Sequence, residues 1–266
     1  MAPRILYIVT EDWYFLSHRL PMARAAKGAG YEVHVAARML DGAAAIEAEG
    51  FVPHKLSWSR GSISARDSLS AVLELRGLIR DVEPDLVHNV ALKPVLLGTL
   101  ASFGLKDVAV VNSLTGMGAL FVDGSGASKL TRKLVVMTLS RLLRRKRSIT
   151  VVQNPEDRAF VAGLGIPEEA ITIIAGSGVD IDKYQPLPEP EGIVTAAFVG
   201  RMLRHKGVLT LVDAFRRATS DAAPGEASEL HLLLAGDCDA ENPGSLAPEQ
   251  LREFASAYGI DWLGHV

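Results

Sequence analysis

Cysteine is nearly absent. Cys238 is the single one in 266 residues, so the chain forms no disulfide within itself and offers no cysteine-based zinc site. The seven histidines include no His-Glu-x-x-His grouping, and no bound metal is expected. Net charge is small, -3 with histidine neutral, which excludes a surface built throughout for nucleic acid. Nowhere do about 18 apolar residues run uninterrupted, so no membrane-crossing helix is expected. The opening apolar stretch from Ile5 to Val9 meets Glu11 and Asp12 at once and is too short for a secretory signal core. These absences lead to the expectation of a soluble cytoplasmic protein.

The familiar nucleotide motifs are also missing. Lys27-Gly28-Ala29-Gly30 follows a helical pattern and precedes a strand at Tyr31, the reverse of a dinucleotide turn, and reads as a helix C-cap. Gly124-Ser125-Gly126-Ala127-Ser128-Lys129 lacks the Gly-Lys-Ser/Thr of a phosphate loop. Neither an NAD site nor a P-loop is expected, and no cofactor is required.

What the chain does have is alternation. Apolar, β-branched runs at 4–9, 31–36, 85–88, 108–112, 148–152 and 170–174 read as buried parallel strands. Helical periodicity separates them. Leu69, Val72, Leu73, Leu75, Leu78 and Ile79 read as one helix face closed by Pro84. This order implies βαβ units and a doubly wound α/β fold. Periodicity stops between Asp180 and Ile193, where Pro186, Pro188 and Pro190 read as a semi-rigid connector. The expected domains are 1–185 and 186–266. In the second, strands at 194–199, 230–235 and 260–263 and helices at 206–218 and 246–257 make a thin sheet, which reads as the first part of a longer domain.

The strand Ala196–Val199 breaks at Gly200 and delivers Arg201 and Lys206-Gly207 to the start of a helix. A glycine turn followed by cations at a helix N-terminus is a place to hold a diphosphate. The same spacing also fits two solvated charges at a strand end.

Phe198-Val199-Gly200-Arg201, four residues, then Lys206-Gly207 and Asp213-Ala214-Phe215 resembles the donor-site signature of family 4 (group 1) glycosyltransferases, which have the GT-B fold. Gly176-Ser177-Gly178-Val179-Asp180 is similar to the segment where such enzymes cross between domains, and Leu232–Asp237 and Trp262–Val266 match the next landmarks in order. The likeness spans the chain. His88–Pro94, Asn112–Gly118 and Gln153-Asn154-Pro155 look most like the bacterial CapM or PglA type subgroup, which builds surface polysaccharides on lipid-linked acceptors.

The resemblance implies a GT-B fold with one complete Rossmann-like domain and part of a second. It implies a hexosyltransferase that moves a sugar from a nucleotide-sugar donor, UDP-linked, to a lipid-linked or saccharide acceptor with retention of configuration. Gly200, Arg201, Lys206, Gly207 and Gly178 then face the donor, with Arg201 and Lys206 as the catalytic cations. His18, Lys93, Thr115 and Gly116 are acceptor-side candidates. Many relatives have a histidine where Thr115 stands, so only a contact is assigned to Thr115. His88 reads either as a strand-end contact or as a core histidine, and Trp13, Tyr14 and Phe15 either pack beneath the first loop or meet the acceptor. Relatives also carry two glutamates eight residues apart beyond the Leu-Gly landmark. Glu241 and Glu249 have that spacing but precede Leu263-Gly264, and read as coincidence. Other classes that fit the architecture are a UDP-sugar 2-epimerase and a truncated, non-catalytic nucleotide-binding module.

From Lys129 to Arg147 the chain carries eight cations and no acid, with an apolar stripe of Leu130, Leu134, Met137, Leu142 and Leu143. It reads either as a helix resting on an anionic membrane surface, peripheral at the inner face, or as a core helix with a solvated basic face.

Overall fold

The computed structural model describes residues 2–58, 64–105, 108–115, 129–220, 230–242 and 244–266. Two compact units divide between Asp180 and Ile181, slightly ahead of the Pro-rich connector.

The first unit is built on seven parallel strands. These are β1 (Arg4–Glu11), β2 (Glu32–Arg38), β3 (Val52–Lys55), β4 (Leu86–Val90), β5 (Ala109–Leu114), β6 (Ser148–Val152) and β7 (Ile171–Ile173). Their spatial order is β3-β2-β1-β4-β5-β6-β7. Strand β1 explains why such runs are apolar throughout. Ile5, Tyr7 and Val9 pack with Phe15, Ala23 and Phe51 on one face, while Leu6 and Ile8 pack with Leu75, Ile79 and Val87 on the other. Helices α1 (Asp12–His18), α2 (Leu20–Gly28) and α3 (Ala43–Ala48) lie between β1 and β3 in sequence, and α4 (Ala65–Val82) and α5 (Leu92–Ala101) flank β4. Helices α6 (Lys129–Leu143) and α7 (Pro155–Gly163) follow, with Asn154 capping α7 through Asp157 N–H at 2.7 Å.

Four local readings need correction. Strand β3 was not anticipated, because Pro53 argues against a strand; it is tolerated since β3 is an edge and pairs only with β2. The stretch after β1 is helix α1 rather than a loop, and His18 is its last residue. The inward face of α4 is Ala71, Leu75, Ile79 and Val82, which leaves Leu69 and Leu73 exposed at 62% and 61% on the far side. The apolar stripe of α6 also splits. Leu139, Leu142 and Leu143 are buried, whereas Leu134 and Met137 face outward.

The cations after α6 are partly spent on the fold. Arg144 Nη2 donates to Leu164 O at 2.6 Å, and Arg145 donates to Ser102 Oγ at 2.6 Å and Val108 O at 3.0 Å. Among the described residues no helix is long and apolar enough to cross a membrane.

The second unit is a parallel sheet ordered β10-β9-β8, from β8 (Val194–Val199), β9 (Leu230–Ala235) and β10 (Ile260–Gly264). Its core gathers Met202, Val208, Val212 and Phe215 with Leu232, Leu234, Leu251 and Ile260. The helices are α8 (Val208–Ser220) and α9 (Pro248–Tyr258).

Candidate functional site

At the carboxyl ends of the second unit's strands the backbone is glycine: Gly200 after β8, Gly236 after β9 and Gly264 ending β10. Gly200 N–H donates to Ala235 O at 2.9 Å and Gly236 N–H to Gly264 O at 2.7 Å. Gly236 has φ 139, and a Cβ there would collide with the carbonyl oxygen of Gly200. This close approach explains why glycine stands at that position.

The chain leaving Gly200 is pinned from below and presents its cations above. Met202 and Leu203 are fully buried, while Arg201, Arg204 and Lys206 are exposed. Met202 N–H donates to Asp237 O at 3.0 Å and Arg204 N–H to Gly244 O at 2.9 Å, which stitches this loop to the one after β9. Lys206 sits in a single 3-10 turn, Arg204–Lys206, and not in the helix itself, because Gly207 turns left-handed at φ 81 before α8 begins. Arg201 Nη1 contacts Asp239 Oδ2 at 2.9 Å. That bond uses one of the five guanidinium N–H donors. Asp239 therefore holds the guanidinium in place. Gly178 lies in exposed, left-handed coil at φ 70 near the end of the first unit. Glu249 begins α9 and pairs with Arg252 at 3.2 Å.

In the first unit, β1 has β2 on one side and β4 on the other, so the strand order reverses between β1 and β4. Ligands of open α/β sheets lie at the carboxyl ends beside such a reversal. There Glu11 is buried against Arg38 at 3.0 Å, and Asp12 Oδ2 accepts from Leu40 N–H at 2.7 Å and Gly42 N–H at 2.8 Å. Ala91, between β4 and α5, has φ 74 and ψ 163, a region used almost only by glycine. Strain of this kind, about 1–3 kcal/mol, concentrates at functional sites.

The acceptor-side candidates scatter around this end. Lys93 is in the first turn of α5 rather than in a loop ahead of it, with Nζ 5.6 Å from the ring centroid of Trp58. Burial pushes its ammonium down, and Asp67 and Glu11 oppose that shift. His18 is exposed and stacks on Tyr14 at 4.5 Å. Thr115 follows β5, and Gly116 lies outside the described residues. Of the aromatic run, Phe15 is fully buried, which is the packing alternative, and Trp13 is 42% exposed. Among the described residues no group of three or more His, Cys, Asp or Glu is placed to hold a metal.

His88 is a core histidine, 4% exposed, with Nε2 2.7 Å from Ser113 Oγ. Burial, then the charge of Arg19, hold its imidazole down at about 3. Unfolded imidazole takes its proton near 6.5, so between pH 6.5 and 3 the unfolded chain binds more protons and stability is lost as the pH is lowered. Above 6.5 the contribution is fully present. Urea unfolding should show wild type losing about 2 kcal/mol from this group between pH 7 and 5. Burial also pushes His34 and His54 down, so His88→Gln should shrink this slope without abolishing it. An unchanged slope would contradict the assignment.

The sequence profile described as glycosyl transferase 4-like matches residues 4–153. The chain belongs to this family. One relative is the N,N'-diacetylbacillosaminyl-diphospho-undecaprenol alpha-1,3-N-acetylgalactosaminyltransferase of Campylobacter jejuni, 23% identical, with 94% of this chain and 68% of the relative covered. Another is the EpsD protein of Bacillus subtilis, 25% identical over 70% of this chain and 47% of that protein. The chain thus spans about half to two thirds of these relatives. The structure of Anabaena HepE in complex with UDP and glucose superposes with a TM-score of 0.66 at 17% identity, covering 98% of this chain and 69% of HepE. That likeness shows the GT-B type fold. The family profile lies wholly in the first unit, so the cations after β8 stand outside it.

Proposed function

We propose that this glycosyl transferase 4-like chain is part of an enzyme that transfers a hexose from a UDP-sugar to a lipid-linked or saccharide acceptor, with retention and without a metal. The observation that carries the proposal is the junction after β8. Gly200 lets the chain turn at the strand end, and Arg201 and Lys206 then stand exposed beside the start of α8. A departing nucleoside diphosphate gains negative charge as the glycosidic bond breaks, so fixed cations there favour the transition state over the ground state. Arg201 supplies a planar fork for phosphate oxygens and Lys206 a compact second charge. In a retaining transfer the donor phosphate takes the acceptor proton, and that role asks no histidine of the chain. The Campylobacter relative's name specifies a lipid-diphosphate acceptor, which supports the acceptor class and the CapM or PglA type subgroup.

Membrane approach fits the outward edge of α6, where Lys133, Leu134, Met137 and Arg141 are exposed together. The test is transfer of labelled sugar from UDP-sugar to a polyprenyl-diphosphate glycan in vesicles by the full-length protein. Label should reach the lipid, and faster on anionic than on neutral vesicles, with Leu134→Glu removing the difference. Epimerised UDP-sugar without lipid label would overturn the reading.

A further inference from the structure

Arg19 joins α1 to α2, and its charge reaches Tyr7 of β1 and His88 of β4, the two strands between which the order reverses. Its side chain is almost wholly enclosed, at 4% exposure. Nη2 lies 3.3 Å from Tyr14 Oη, the guanidinium carbon lies 5.8 Å from the Tyr14 ring centroid, and Nε is buried with no hydrogen-bond partner. No carboxylate among the described residues pairs with it. Glu11 pairs with Arg38, and Asp12 accepts from the amides of Leu40 and Gly42.

Two uncharged groups sense Arg19. Burial holds the Tyr7 phenol well above its usual range, with Arg19 opposing, and holds the His88 imidazole neutral. Tyr7 and His88 are neighbours across the β1–β4 pairing, with ring centroids 5.0 Å apart, and His88 bonds Ser113. Among the described residues Arg19 is thus a buried positive charge with no carboxylate paired to it. A guanidinium does not shed its proton, and enclosing one without a counter-charge costs several kcal/mol. Tyr14 offsets about 0.5–2 kcal/mol of that as a cation–π partner. No described carboxylate supplies the balance.

We infer that Arg19 and the Tyr14 hydroxyl form a phosphate subsite of the first unit that receives a diphosphate group of the transfer reaction. A guanidinium fork matches paired phosphate oxygens, and Tyr14 Oη adds a neutral donor beside it. The subsite rests on the proposed transferase reading for its role, and on Arg19 alone for its existence. The diphosphate belongs either to the donor nucleotide or to an isoprenoid-linked acceptor. The acceptor is favoured because Arg201 and Lys206 already serve the donor.

The experiment uses full-length protein carrying Arg201→Ala and Lys206→Ala, which silences the second unit's cations. Inorganic pyrophosphate should still raise its Tm, and adding Arg19→Gln should weaken pyrophosphate binding at least tenfold. Arg19→Lys should restore part of it. Farnesyl diphosphate protecting through Arg19 assigns the subsite to the acceptor, and UDP doing so assigns it to the donor. Without ligand, Arg19→Gln should leave Tm unchanged or higher, because it removes an uncompensated charge; an arginine that only braces α1 against α2 would lower it. Pyrophosphate binding that is absent with Arg19 intact, or indifferent to Arg19→Gln, overturns the inference. That failure would leave labelled-sugar transfer, and its dependence on Arg201, untouched.

Discussion

Arg201→Ala is expected to lower kcat for sugar transfer by about 10²–10³-fold, the usual cost of deleting one preorganised donor from a site where negative charge develops. The loss should fall mainly on kcat, since the departing diphosphate needs the guanidinium more than the resting donor does. Arg201→Lys should recover only part of the rate, because an ammonium cannot offer two parallel N–H groups. Lys206→Ala should cost less, about 10–100-fold, as expected for one charged hydrogen bond. Neither change should unfold the protein. Both side chains are exposed, and the Arg201–Asp239 pair is a surface ion pair worth at most about 1 kcal/mol. Steady-state kinetics with UDP-sugar, beside thermal unfolding, check both halves. Arg201→Ala with unchanged kcat would show that the strand-end cations are only solvated charges.

The sheet was legible because parallel strands covered on both faces must be apolar at every position, as Leu6, Tyr7 and Ile8 are. Strand β3 was hidden by Pro53, whose missing N–H matters little where β2 is the only neighbour. Helix α1 was hidden by Trp13-Tyr14-Phe15, a poor helical run that burial of Phe15 and the bonds of Asp12 override. Some residues of the motifs near β4 and β5 brace the fold. Asn89 Nδ2 donates to Asn112 Oδ1 at 2.9 Å, Thr99 Oγ1 donates to the same oxygen at 2.8 Å, and Asn112 Nδ2 donates to Ser148 Oγ at 3.2 Å. Such a network joins β4, β5, β6 and α5, with Asn89 Oδ1 left buried without a hydrogen-bond partner. Arg19 was overlooked for the opposite reason. Its charge is ordinary in the sequence, and only tertiary packing shows that no carboxylate among the described residues pairs with it. Pro21, at the second position of α2, was the available hint that a helix starts just after it.

Gly236→Ala should be the most damaging single-methyl change in the second unit, costing about 3 kcal/mol or more and abolishing UDP binding. The obstacle to the new Cβ is the Gly200 carbonyl, a backbone atom that cannot rotate away as a side-chain tip would. Relief requires the ends of β8 and β9 to part, which breaks the Gly200 N–H bond to Ala235 O and strains the Gly236 N–H bond to Gly264 O. The carbonyl of Gly236 also accepts from Trp262 Nε1 at 2.9 Å, so the third strand is drawn in. Since Arg201 follows Gly200 directly, the same shift re-aims the guanidinium. Gly207→Ala is the control. Gly207 is left-handed at φ 81 but has open space around its Cα, so alanine there carries only backbone strain of about 1 kcal/mol. Hydrogen exchange should therefore quicken at Leu232–Ala235 in Gly236→Ala and stay near wild type in Gly207→Ala. Equal losses of stability in the two variants would mean that the three glycine-ended strands do not meet as closely as the structure places them, and the diphosphate cradle built on them would fall with that contact.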